Sequence, residues 1–277
     1  MARFIKSFQN DAAIQAAVDD KSLGHPYVAL NDATGKIDWN TKEEKPNYRA
    51  IPMTFEVTSP GTINFYGLGI DTPKSIMYSI DNGLTWGTLN ASKNSGSSIT
   101  VSVGDKVIIV GNEKSYSDGI DKFCTFMNST AKFKIYGNVM SMFSANSFQE
   151  LDAFQEDNAL MGLFYSCTGL TDISNLVLPA TVLTERCYYY MFAYCNILET
   201  APELPATELA DRCYEGMFYS SQNINYIKCL ATNISTSNST DGWLDGVSPT
   251  GTFVKKAGVT WPTGNSGIPS GWTVIEE

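Results

Sequence analysis

Six cysteines, nine carboxylates along one later stretch and seven closely spaced tyrosines are the side chains of this 277-residue sequence whose types could carry chemistry. The cysteines are Cys124, Cys167, Cys187, Cys195, Cys213 and Cys229, and they contain no C-x-x-C pair. A nucleophilic thiolate needs a neighbouring base. The only histidine, His25, sits between Gly24 and Pro26 in a distant region that reads as a turn, and one imidazole cannot build a site that needs two. Small, buried packing residues are therefore the expected role of the cysteines. The carboxylates Glu150, Asp152, Glu156 and Asp157 precede a second set, Glu199, Glu203, Glu208, Asp211 and Glu215. Glycoside hydrolysis would need two of them about 5–10 Å apart around a cleft. No pair is set apart by spacing or by an apolar setting, so a solvated acidic face is expected. Calcium could be held at Asp81 or at Asp241 and Asp245, but no EF-hand or nonapeptide pattern is present, and no cofactor or catalytic residue is assigned. Among Tyr165, Tyr188, Tyr189, Tyr190, Tyr194, Tyr214 and Tyr219, those facing inward would space a core. Those facing outward would stack against sugars or anchor a protein.

The segment Ser79-Ile80-Asp81-Asn82-Gly83-Leu84-Thr85-Trp86 fits the S-x-D-x-G-x-T-W pattern known as the Asp-box, which occurs in sialidases and other propeller proteins. Its physical content is a hairpin turn in which Asp81 accepts backbone N–H bonds, Gly83 supplies φ > 0 and Trp86 packs beneath. A single copy, in a chain without room for six four-stranded blades, predicts a local turn.

Elements that would position these residues follow from composition and periodicity. Nineteen Lys and Arg against 29 Asp and Glu leave a net charge of −10, which repels phosphate and makes nucleic acid an improbable partner. No window approaches the ~20 apolar residues of a membrane span, and the N-terminus lacks an apolar signal core, so neither membrane insertion nor Sec export is expected. Residues 1–50 carry seven basic and seven acidic groups. They read as a short helix capped by Asn10 over Ala12–Val18, a hairpin of Tyr27–Leu30 and Lys36–Trp39, and a polar linker from Asn40 to Arg49. Residues 51–140 alternate with period two between frequent turns, as in Met53, Phe55 and Val57, and predict a small β-sandwich of seven or eight strands.

Residues 141–277 repeat. Leu178-Pro179-Ala180-Thr181 returns as Leu204-Pro205-Ala206-Thr207, Arg186-Cys187-Tyr188 as Arg212-Cys213-Tyr214, and Met191-Phe192 as Met217-Phe218, always 26 residues on. A fixed offset at three points predicts stacked units, each with one strand and one short helical or turn segment. Most of the negative charge lies in 141–220, where eleven carboxylates face only Arg186 and Arg212. Cys167-Thr168-Gly169-Leu170, the two LPAT-x-L segments and the two Cys-Tyr-x-x-Met-Phe segments resemble the leucine-rich repeat proteins of the BspA-like type. Such proteins occur on the surfaces of gut bacteria and are similar to ones encoded by their tailed phages.

The resulting expectation is a mainly β chain with short helices: a helix-hairpin anchor at 1–50, a β-sandwich at 51–140, and a leucine-rich-repeat solenoid with a Trp-rich C-terminal cap at 141–277. The resemblance implies adhesion or recognition without catalysis. A virion protein of head-fibre or capsid-decoration type is the first reading. Its N-terminal segment would hold a capsid or other virion protein, or form a homo-oligomer such as a trimer, and its repeat domain would hold a host-surface glycan or protein. A bacterial cell-surface adhesin is the alternative, and a carboxylate-dependent glycosidase the remote one. The expected contact residues flank the repeat strands: Asp172 and Ser174 in one unit, Glu199, Thr200 and Glu203 in the next.

Overall fold

The computed structural model describes residues 6–8, 27–31, 36–40 and 46–277, and divides into two compact units, Met1–Asn47 and Tyr48–Glu277. In the first, β1 (Lys6–Phe8) lies parallel to β2 (Tyr27–Asn31), which pairs antiparallel with β3 (Lys36–Asn40) in the register Val28 to Trp39. The two predicted hairpin strands thus pair with each other. The helix expected after Asn10 and the turn containing His25 lie outside the described residues.

The second unit begins inside the stretch read as a linker. Tyr48–Ala50 forms a 3-10 turn, the Tyr48 ring packs on Tyr136 at 5.6 Å, and Arg49 Nε donates to the Gln149 carbonyl at 3.3 Å. The period-two segment then forms β4 (Thr54–Ser59), β5 (Gly61–Leu68), β6 (Lys74–Ser79), β7 (Gly87–Ser92), β8 (Ser95–Val101), β9 (Lys106–Val110), β10 (Ser117–Gly119), β11 (Lys122–Thr125) and β12 (Lys132–Asn138). With β13 (Leu170–Val177) they make one hydrogen-bonded sheet in the order β10-β11-β5-β8-β7-β6-β9-β4-β12-β13. Alternation places Ile63, Phe65 and Gly67 of β5 inside and leaves Asn64 and Tyr66 toward solvent, as a half-buried strand requires. The ladder is continuous, yet Phe55 of β4 and Phe65 of β5, far apart in the order, both meet Phe126 (4.8 and 5.4 Å). The sheet therefore curls over its apolar face.

The change of pattern read near residue 140 as a domain boundary does not interrupt the packing. β12 pairs antiparallel with β4 on one side and parallel with β13 on the other, and a single core runs from Met53 to Trp272. A parallel partner needs a long crossover, here residues 139–169. That crossover is the first of a series of coils. Backbone N–H groups of Leu160, Tyr188 and Tyr214 donate to the carbonyls of Cys187, Cys213 and Ser239 (2.9, 3.1 and 2.9 Å), each in the next coil. Phe164, Phe192 and Phe218 do the same to Met191, Met217 and Trp243. Intervening N–H groups, such as those of Met191 and Met217, close short turns onto Tyr188 and Tyr214. Half of the backbone donors are thus satisfied within a coil and half by its neighbour.

Each coil carries left-handed residues four apart: Asn158, Gly162 and Ser166, then Arg186, Tyr190 and Tyr194, then Arg212, Gly216 and Ser220, then Asn238, Gly242 and Gly246. Residues between them point inward in the pairs Cys187-Tyr188, Met191-Phe192, Cys213-Tyr214 and Met217-Phe218. Phe126, Phe164, Phe192 and Phe218 stack with centroids 5.4–5.5 Å apart and interplanar angles of 18°, 3° and 8°. A second row runs Tyr188, Tyr214, Trp243 and Trp261 at 5.9, 6.2 and 5.5 Å. On the opposite side of the coils, β14 (Tyr226–Cys229), β15 (Gly251–Lys255) and β16 (Trp272–Glu276) form a parallel sheet. Trp243 Nε1 and Trp272 Nε1 donate to the Gly267 and Ser248 carbonyls at 2.9 and 2.8 Å, tying the closing segment together. The chain is mainly β, and its longest helix among the described residues is the four-residue 3-10 turn Val139–Met142.

Candidate functional site

The Asp-box segment is a hairpin between β6 and β7. Asp81 Oδ2 accepts from the Thr85 hydroxyl at 2.6 Å, while Oδ1 accepts from the Thr85 N–H (2.9 Å) and the Ser79 hydroxyl (2.7 Å). Asn82 and Gly83 take φ of 60° and 86°, which the turn requires and which these residue types tolerate. The carboxylate is thereby spent on its own loop. The Thr85 hydroxyl, then the Thr85 N–H and the Ser79 hydroxyl, hold its pKa down to about 2. A group depressed in the folded state contributes stability above its unfolded pKa of about 4 and loses it as the pH falls through the folded value. The Asp81 carboxyl carbon should accordingly titrate near pH 2 by NMR, with Thr85 and Gly83 amide shifts moving in the same step. Titration near pH 4 would mean that these bonds do not persist in solution. The Trp86 ring lies against Gly83 of the turn and remains 44% exposed, so it packs on the hairpin without being buried by it.

All six cysteines are buried and unpaired. Burial raises Cys124, Cys167, Cys213 and Cys229 to about 12 and Cys187 and Cys195 well above their usual value, so none is a thiolate at neutral pH. Cys167 and Cys195 donate their thiols to the carbonyls of Phe126 and Phe164 (3.4 and 3.1 Å), and Ser221 does so with its hydroxyl to Phe192 at 2.7 Å. They form a ladder of equivalent positions. The carboxylates are dispersed along coil edges: Asp157 accepts the Glu185 N–H, Glu208 accepts from Asn233, and Asp241 and Asp245 accept from Ser266 and Asn265.

The five expected contact residues separate. Ser174 and Glu203 line one groove of about 360 Å³ together with Tyr48 and Arg49. Asp172 is half-buried on β13, where its Oδ1 accepts the Ser174 N–H at 2.9 Å. Glu199 is exposed, but its carbonyl accepts from Asn225 and Tyr226, and Thr200 bridges to Tyr226. Glu203 also reaches Lys228 at 3.1 Å, which bridges on to Glu277. Tyr48 and Arg49 were missed as groove residues, since nothing in their local spacing ties them to residues more than 120 positions later.

The tyrosines supply the most coherent surface. Tyr188 and Tyr214 belong to the core, whereas Tyr165, Tyr189, Tyr190, Tyr194 and Tyr219 are half-buried and touch one another. Ring centroids lie 5.3 Å apart for Tyr165 and Tyr194, 5.5 Å for Tyr194 and Tyr219, 5.8 Å for Tyr190 and Tyr219, and 4.5 Å for Tyr189 and Tyr190. The Tyr190 ring lies over Gly216, where a Cβ would come within 2.4 Å of it. Burial, then Tyr189 and Glu215, pushes the Tyr190 phenol up to about 12, and burial also raises Tyr165 and Tyr189. These hydroxyls are therefore neutral donors. Such a surface offers aromatic faces and hydrogen bonds together. Comparison with family models, curated proteins and solved structures finds no match.

Proposed function

We propose that this chain is a non-enzymatic attachment protein of a phage virion, of head-fibre or capsid-decoration type. Its first fifty residues hold a virion protein and its 26-residue coils form a short leucine-rich-repeat solenoid that presents a recognition surface to the host. The curled β-sheet serves as the sandwich-like platform from which the solenoid grows, and the Trp-rich closing segment caps it. The observation that carries the binding reading is the surface of five tyrosines joined ring to ring in a chain from Tyr165 through Tyr194, Tyr219 and Tyr190 to Tyr189. Rings of this kind supply large, rigid contact area at low entropy cost, which suits recognition better than bond-breaking. The repeat signature 178–218, with its likeness to surface and phage proteins, supports the virion location.

Mass spectrometry of density-purified particles from the source culture, beside the washed outer-membrane fraction of the host, tests this. The polypeptide should appear at fixed stoichiometry in particles. Its presence on cells alone would replace the virion reading with that of a bacterial surface adhesin.

A further inference from the structure

Tyr190 and Tyr194 stand at positions where the fold itself asks for something else. Both adopt left-handed backbone, with φ of 51° and 61°. The equivalents of Tyr190 in neighbouring coils are Gly162, Gly216 and Gly242, and those of Tyr194 are Ser166, Ser220 and Gly246. A bulky side chain is disfavoured in this region because its Cβ crowds the following carbonyl oxygen, which is why glycine and asparagine are the usual occupants. A ring retained at two such sites in one coil points to a task other than folding. Both rings belong to the tyrosine surface, Tyr194 touching Tyr165 and Tyr219, Tyr190 touching Tyr189 and Tyr219.

Charge narrows the occupant. Arg212 is engaged by Glu215 at 2.9 Å, and Arg186 is paired with Glu185. The cations beside the rings are thus already neutralised, while Asp121, exposed and near Tyr165 and Tyr189, adds a carboxylate. An anionic glycan or phosphorylated polymer would meet no spare positive charge in this coil segment. A neutral pyranose matches: its C–H face lies on an aromatic ring, and its hydroxyls exchange hydrogen bonds with phenols and carboxylates. We propose that the Tyr165–Tyr189–Tyr190–Tyr194–Tyr219 surface binds a neutral saccharide, with successive sugar rings against Tyr190 and Tyr194. This rests on the reading of the chain as an attachment protein and names what it attaches to.

The test uses the full chain in affinity electrophoresis through gels holding mannan, galactomannan, arabinoxylan, mixed-linkage β-glucan, polysialic acid or heparin. Retardation by at least one neutral polymer, and by neither charged one, is expected. The double variant Tyr190→Gly with Tyr194→Gly removes both rings while suiting the left-handed backbone. It should keep its thermal unfolding midpoint within a few degrees and bind at least tenfold more weakly. Tyr165→Ala, on ordinary backbone, should also weaken binding and serves as the second variant. Trp86→Ala should bind as the parent does. No retardation by any neutral polymer, preference for the charged ones, or full binding by folded ring-less variants would overturn the saccharide assignment. Adsorption of the same proteins to host cells separates the two levels. Adsorption that survives the tyrosine variants sinks the saccharide site alone, whereas no adsorption, with the chain absent from particles and cell surfaces, sinks the attachment reading.

Discussion

Replacing Phe192 with alanine is expected to lower stability by about 3–5 kcal/mol, the usual loss for a fully buried aromatic ring. Phe192 lies between Phe164 and Phe218 at 5.4 and 5.5 Å, nearly parallel to both, so its removal opens the stack on two sides. The cavity cannot close readily. The backbone of this coil is hydrogen-bonded to both neighbours, through Phe164 N–H to Met191 O and Phe192 N–H to Met217 O. A domain holds only about 5–15 kcal/mol in total, so the variant should unfold at much lower denaturant. Urea unfolding followed by tryptophan fluorescence would report it, with Phe192→Leu losing considerably less. A loss below about 1 kcal/mol for alanine would mean that the ring stack is not packed in solution.

Gly137→Ala is expected to be nearly as damaging, for a different reason. Gly137 lies in β12 at φ +90°, where an L side chain is strained whatever the space around it. Its Cβ would fall 2.3 Å from the Pro52 carbonyl oxygen and 2.8 Å from that of Ile51. These are backbone atoms, held by the Asn138 N–H bond to the Ile51 carbonyl, so relief requires β12 to shift. That strand joins the antiparallel sheet to the first coil through β13, and both pairings would suffer. Strain of this kind costs on the order of 1–3 kcal/mol before the clash is added. Hydrogen exchange should show lost protection across β4, β12 and β13 together. Gly104→Ala, where φ is also positive but the site is open, should cost less and leave β13 protected. Equal losses at the two glycines would refute the role of the close approach.

Local patterns were readable where one residue's neighbours determine its conformation. Period-two alternation marked β4, β5, β8 and β9, and Asp81-Asn82-Gly83 marked its hairpin, because pleat and turn are set within a few residues. The 26-residue spacing showed that like residues must meet like environments, and the stacking of Phe192 on Phe218 is that meeting. The segments between were ambiguous. Inward pairs such as Cys187-Tyr188 and Met191-Phe192 recur at four residues, which a helix and a run of left-handed turns both produce. The positive φ of Arg186, Tyr190 and Tyr194 and the N–H bonds of Tyr188 and Phe192 to the next coil distinguish them.

The sorting of the tyrosines shows the same division. Sequence alone named seven rings without separating Tyr188 from Tyr189 and Tyr190, since adjacent residues on a turn can face either way. In the folded chain Tyr188 joins the core row and its two successors join the surface. The groove that unites Tyr48 and Arg49 with Ser174 and Glu203 likewise required the parallel pairing of β12 with β13. By itself the sequence determined charge, strand periodicity, the Asp81 turn and the 26-residue recurrence of like residues, all properties of residue type and spacing along the chain. The tertiary structure alone decided which rings share a face and which distant residues share a groove, because those depend on packing and hydrogen bonds between segments far apart in the chain.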